Sequence, residues 1–105
     1  MGKKLPPSEM QLYNRTDEVL HYIWDPIGVS GIPEARDEYY SYLPKVFRML
    51  VSSTDGKDIS DYLISVERDM MGLSINDKVK ERANEVADIL LNYREYIKEK
   101  TEQQL

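Results

Sequence analysis

The sequence contains no cysteine, one histidine, one tryptophan and one phenylalanine. Without cysteine there is no disulfide, no thiolate zinc site and no cysteine nucleophile. A single histidine leaves His21 alone to serve any mechanism that needs an imidazole, and no Gly-x-Ser-x-Gly elbow stands beside it to support a Ser-His-Asp triad. No apolar run approaches the ~20 residues of a membrane span, and Met1-Gly2-Lys3-Lys4-Leu5-Pro6-Pro7 lacks the hydrophobic stretch of a secretory leader. Positive charge is in deficit: 14 Lys and Arg against 19 Asp and Glu, a net charge of −5, which opposes a nucleic-acid backbone over the molecule as a whole. The densest basic cluster, Lys78-Lys80-Arg82, is interleaved with Asp77 and Glu81 and reads as a solvated helix face. The glycines, at positions 2, 28, 31, 56 and 72, fall at the start, in turns or at a helix end, so no phosphate-cradling loop can be drawn. Together these absences predict a cytoplasmic, non-enzymatic protein with no cofactor, no nucleic-acid partner and no membrane segment.

What is present is helical periodicity. The chain of 105 residues is long enough for one domain that buries about 65 per cent of its unfolded surface. Residues 1–8 read as a flexible lead-in, residues 9–100 as a single helical domain, and residues 101–105 as a frayed end. Ser8 and Gln11 have capping-box spacing and open a helix over residues 9–24, with Leu12, Thr16, Val19, Leu20 and Ile23 on one face. A second helix is expected from Pro33 through Leu50, carrying Ala35, Tyr39, Tyr42, Leu43, Val46, Phe47 and Leu50; Pro44 kinks or breaks it. Ile59, Tyr62, Leu63, Val66 and Met70 mark a third helix, closed by Gly72 as a left-handed cap with Leu73 behind it. A fourth starts near Ser74 or Asn76 and carries Val79, Ala83, Val86, Ala87, Leu90 and Ile97. Lys78–Glu81, Arg82–Glu85 and Glu95–Lys98 are helix-surface pairs on it. No stretch alternates with the period of a strand. The fold class is all-α: a compact bundle of four main helices.

The most distinctive stretch joins the first two helices. Asp25, Pro26 and Gly28 occupy the positions that suit a type I turn. Pro26 cannot continue a helix and pushes Asp25 out of the α region, so the first helix stops near Trp24. Trp24 and this turn read either as packing hardware or, with Asp25 beside Asp37 and Glu38, as an acidic docking site. Tyrosine is abundant, eight residues in all, and buries a ring while keeping a wet hydroxyl, which suits shallow cores and interfaces alike. Tyr40 leaves the stripe followed by Tyr39 and Tyr42 and lies near Arg36, either as an exposed contact residue or as cover for the corner. Trp24, Asp25, Arg36, Asp37, Glu38 and Tyr40 are therefore the candidate interaction surface.

Glu18 and His21 have the Glu-x-x-His spacing of di-iron bundles. Such a site needs two copies of the motif, which one chain cannot supply and a symmetric dimer could; otherwise His21 reads as a surface residue with Asp17 one turn away. The paired acids, Glu67 with Asp69 among them, read as solvated helix faces, because acid–base work requires burial to separate two pKa values.

The block Trp24-Asp25-Pro26-Ile27-Gly28-Val29, with Ala35-Arg36-Asp37-Glu38-Tyr39, Tyr42, Pro44, Tyr62-Leu63 and Met71-Gly72-Leu73, resembles the YugE-like family of small bacterial proteins of unknown function. The likeness covers roughly residues 9–97. It implies an all-helical fold and a bacterial, intracellular setting, and carries over no site residue. The leading expectation is a protein–protein interaction module with an unknown protein partner, immunity- or antitoxin-like in neutralising a basic protein, or self-associating. The alternative is a metal protein or enzyme using His21 and Glu18 at a dimer interface; a nucleic-acid accessory is a third.

Overall fold

Pro6 and Pro7 cannot lie inside a helix but suit its first turn, where amide N–H groups have no partner anyway. In the computed structural model, which describes residues 5–103, helix α1 accordingly runs Pro7–Val19 with Pro6 at its N-cap. No side chain caps it, so the expected Ser8–Gln11 box does not form; the prolines start the helix two residues earlier. The sequence reading put residues 7 and 8 in the lead-in, and both are helical. Residues 1–4 lie outside the described residues.

Two departures from α-helical winding shape the molecule. After Val19 the chain widens into a π-turn, Leu20–Trp24, closed by a bond from Asp25 N–H to the Leu20 carbonyl at 3.1 Å. Helix α3, Lys57–Ser65, ends the same way in a second π-turn, Val66–Met70, with Met71 N–H bonded to the Val66 carbonyl at 3.0 Å. Gly72 then takes φ +68°, as expected for a left-handed cap, and Leu73 N–H returns to the Glu67 carbonyl at 2.8 Å.

The expected second helix is not continuous. Pro33–Ala35 is a single 3₁₀ turn, followed by successive i→i+3 bonds: Glu38 to Ala35, Tyr40 to Asp37, and Tyr42 to Tyr39. Regular α-helix resumes only as α2, Leu43–Ser52, with Pro44 in its first turn. Pro44 thus initiates a helix instead of bending one. The proline lacks an N–H and clashes with the carbonyl four residues back, so α-helical winding from Pro33 cannot run through it.

Helix α4, Asp77–Gln103, begins where Asn76 Oδ1 accepts the Val79 N–H at 3.0 Å, an N-cap of the expected kind. Residues 101–103 of the expected frayed end are helical, and residues 104 and 105 lie outside the described residues. Of the three expected pairs on its surface, only Arg82–Glu85, at 3.3 Å, appears among the ion pairs; Glu95 pairs with Arg94 instead. At 1.5 Å per residue α4 is about 40 Å long, close to the 47 Å greatest extent of the molecule. It packs against α1, α2, α3 and the first π-turn, and Ala83, Val86, Ala87, Leu90 and Ile97 form its buried face. All buried apolar side chains join in one core cluster. Among the described residues there is no strand, and no helix is long and apolar enough to cross a membrane.

Candidate functional site

The corner after the first π-turn is built on Asp25. It is left-handed, φ 31° and ψ 60°, a conformation that a short hydrogen-bonding side chain tolerates better than most. Its carboxylate turns back over the loop. Oδ1 accepts the Val29 N–H at 2.8 Å and the Tyr39 hydroxyl at 2.7 Å, while Oδ2 accepts the Ser30 N–H at 3.1 Å. The Tyr39 hydroxyl in turn accepts the Ile27 N–H at 3.3 Å, and Gly28 N–H closes the turn on the Asp25 carbonyl at 3.2 Å. Partial burial acts to raise the Asp25 pKa, but hydrogen bonds from Tyr39, Val29 and Ser30 outweigh it and hold the group below its ordinary 3.8. The neighbouring phenol responds oppositely: burial, with the Asp25 hydrogen bond, drives the Tyr39 pKa far up, so the ring stays a neutral donor.

Behind this loop Trp24 is 2% exposed. Its ring lies tilted against Tyr39, centroids 5.2 Å apart, and edge-on to Tyr42 at 6.0 Å. Its N–H, which cannot be left unpaired in a core without cost, donates to Glu67 Oε2 at 2.9 Å. Glu67 is itself 5% exposed, not the solvated acid its composition suggests. Burial raises its pKa, and the Trp24 N–H and the charge of Arg82 offset this only in part.

The docking candidates therefore divide. Trp24 and Asp25 face inward or into the loop and hold the corner together. Arg36 is half-buried and forms a bidentate pair with Asp17, both bonds 3.0 Å, while its guanidinium lies 5.4 Å from the Tyr22 ring centre. Asp37 and Glu38 are exposed and make no ion pair among the described residues, and Tyr40 is 49% exposed. Three-residue winding explains the sorting, because side chains at i and i+3 eclipse. Arg36, Tyr39 and Tyr42 face in; Glu34, Asp37 and Tyr40 face out.

His21 is misplaced by the sequence reading. It is buried, 2% exposed, with its ring edge-on to Tyr22 at 4.5 Å, and its Nδ1 has no hydrogen-bond partner among the described residues. The expected neighbour Asp17 is spent on Arg36, and Glu18 pairs with Arg15 at 2.8 Å on an exposed face. Among the described residues no group of three or more histidine and acidic side chains converges to hold a metal ion. Sequence reasoning missed Glu67, and the only available signal was Trp24, whose indole N–H had to find an acceptor somewhere. Compared with known proteins, no family model matches the chain, and no curated protein or solved structure matches it.

Proposed function

We propose that this chain is a small, acidic, non-enzymatic interaction protein that docks a basic surface of another protein on the outer face of the segment from Glu34 to Tyr40. One observation carries the reading. Glu34, Asp37 and Glu38 are exposed carboxylates that make no ion pair among the described residues, set beside the half-exposed ring of Tyr40, on a segment whose inner face is fixed by Tyr39 and the Arg36–Asp17 pair. An ordered backbone loses little freedom on association, an aromatic ring supplies contact area, and unpaired acids favour lysine and arginine and repel acidic competitors. We also read the chain as cytoplasmic and as a member of the YugE-like family, on the Trp24–Val29 block.

A photo-crosslinking phenylalanine analogue in place of Tyr40, activated in the native host cells, tests the reading. The expected result is a discrete adduct with a basic protein, reduced about tenfold when Asp37→Lys and Glu38→Lys are combined. Absence of any adduct, or an adduct indifferent to that charge reversal, refutes it.

A further inference from the structure

Glu67 and Trp24 sit on two π-turns separated by 43 residues in sequence, and their bond ties the ends of α1 and α3 together. From there the contacts continue without a gap into the docking corner. Trp24 packs on Tyr39, Tyr39 donates to Asp25, and Asp25 fixes the amides of Val29 and Ser30. Tyr39 also lies in the inward register of the segment that presents Asp37 and Tyr40 outward. The surroundings of the Glu67 carboxyl contain little charge. Trp24 approaches from the first π-turn and Arg82 from α4. Arg82 is engaged elsewhere, by the Ile23 carbonyl at 2.7 Å and by Glu85. On its own turn, Arg68 and Asp69 are exposed and paired with each other at 2.9 Å.

We propose that Glu67 is a proton-operated latch for the docking corner: as a carboxylate it pins the Trp24 indole, and on taking up a proton it stays buried but loosens that one bond and the corner that rests on Trp24, while relief of its buried charge leaves the fold as a whole no less stable. The inference rests on the docking reading only for its biological use; the latch itself is a property of the free chain. A charge-assisted hydrogen bond is roughly twice as strong as a neutral one, so protonation weakens the bond to the indole without breaking any covalent link. Burial raises the Glu67 pKa above its ordinary 4.5, so this proton is taken up on the alkaline side of that value.

Trp24 is the only tryptophan, so its indole N–H gives a single cross-peak in a nitrogen–proton spectrum of the uniformly labelled chain. Titrated from pH 8 to pH 4, that peak is expected to move in one step, and the amides of Ile27, Val29, Ser30 and Tyr40 to move with the same midpoint. Glu67→Gln should abolish the step in both. Trp24→Phe, which keeps a ring but removes the N–H, should abolish it at the corner amides and serves if the glutamine variant folds poorly. An indole peak that stays still, a step that survives Glu67→Gln, or corner amides that ignore a moving indole would overturn the proposal. No partner is needed for the measurement, so failure of docking and failure of the latch are told apart.

Discussion

A buried carboxylate on a single indole N–H makes Glu67 the side chain whose replacement separates charge from hydrogen bonding. Glu67→Ala leaves the Trp24 N–H unpaired in the core and should cost about 1–3 kcal/mol in denaturant titrations. Glu67→Gln keeps an acceptor and removes the buried charge, so at neutral pH it should match or exceed the parent. Because the folded-state pKa of Glu67 is raised, the native state binds this proton more tightly than the unfolded chain does. This contribution to stability is present in acid and is lost as pH rises through the raised value. Asp25 has the opposite sign. Its pKa is depressed, so its contribution holds above about 3.8 and disappears as pH falls through the lowered value. Asp25→Ala should cost about 2–3 kcal/mol, since three hydrogen bonds to one charged group disappear, and Asp25→Asn should cost less, because asparagine tolerates the left-handed backbone and can still accept. Urea midpoints measured at pH 7 and at pH 3.5 check both signs: the difference between Asp25→Asn and the parent should shrink in acid, and so should any advantage of Glu67→Gln over the parent.

At the scale of elements, the two π-turns mark where the sequence stopped being legible. The first, third and fourth helices, the cap at Asn76 and the left-handed Gly72 all follow from spacing and local chemistry, and all are present. A period of 3.6 also put His21 and Glu67 outside and Met70 inside. In the structure His21 and Glu67 are buried, Met70 is 70% exposed, and Met71 packs on the core in its place. One additional residue in the turn rotates everything after it, and no local signal in the sequence announces that residue. The break before Pro44 was half legible: the proline gave the place, while the 3₁₀ turn at Pro33–Ala35 and the i→i+3 turns that follow it to Tyr42, which sort Asp37 and Tyr40 outward, were not readable from an apolar pattern that fitted an α-helix. Contacts between elements yield a further expectation. At Gly56, φ +79°, an added Cβ would lie 3.0 Å from Leu91 Cδ1 and 3.2 Å from the Ala87 Cβ. Gly56→Ala should therefore cost at least about 1 kcal/mol from backbone strain alone, with more from separating α3 from α4. Gly31→Ala, with open space around it and no positive φ, is the matched control, and thermal melts of the two variants make the comparison.

For the molecule as a whole, α4 decides how unfolding proceeds. The radius of gyration is 14.1 Å against about 13 Å for a compact chain of this length, so the shape is elongated along one rod, with every other helix leaning on that rod. An elongated bundle can come apart in pieces if its parts have separate cores. Here they do not: Trp24 and Tyr39 from the corner belong to the same cluster as Leu63 of α3 and Leu90 of α4. Arg94 strengthens the far end of the rod, with Nη1 donating to the carbonyls of Leu50 and Ser53, both at 2.6 Å, and so holds the end of α2 to α4. Two probes at different places should then report one event. Trp24 fluorescence senses the corner and far-ultraviolet circular dichroism senses all the helices, with α4 the longest of them, and their urea transitions should coincide, with a slope of about 1–2 kcal/mol per molar. Arg94→Ala should lower both midpoints together. If the fluorescence transition came first, the corner would be a separately folding unit, and a docking face carried on it would be ordered by its partner instead of presented ready-made.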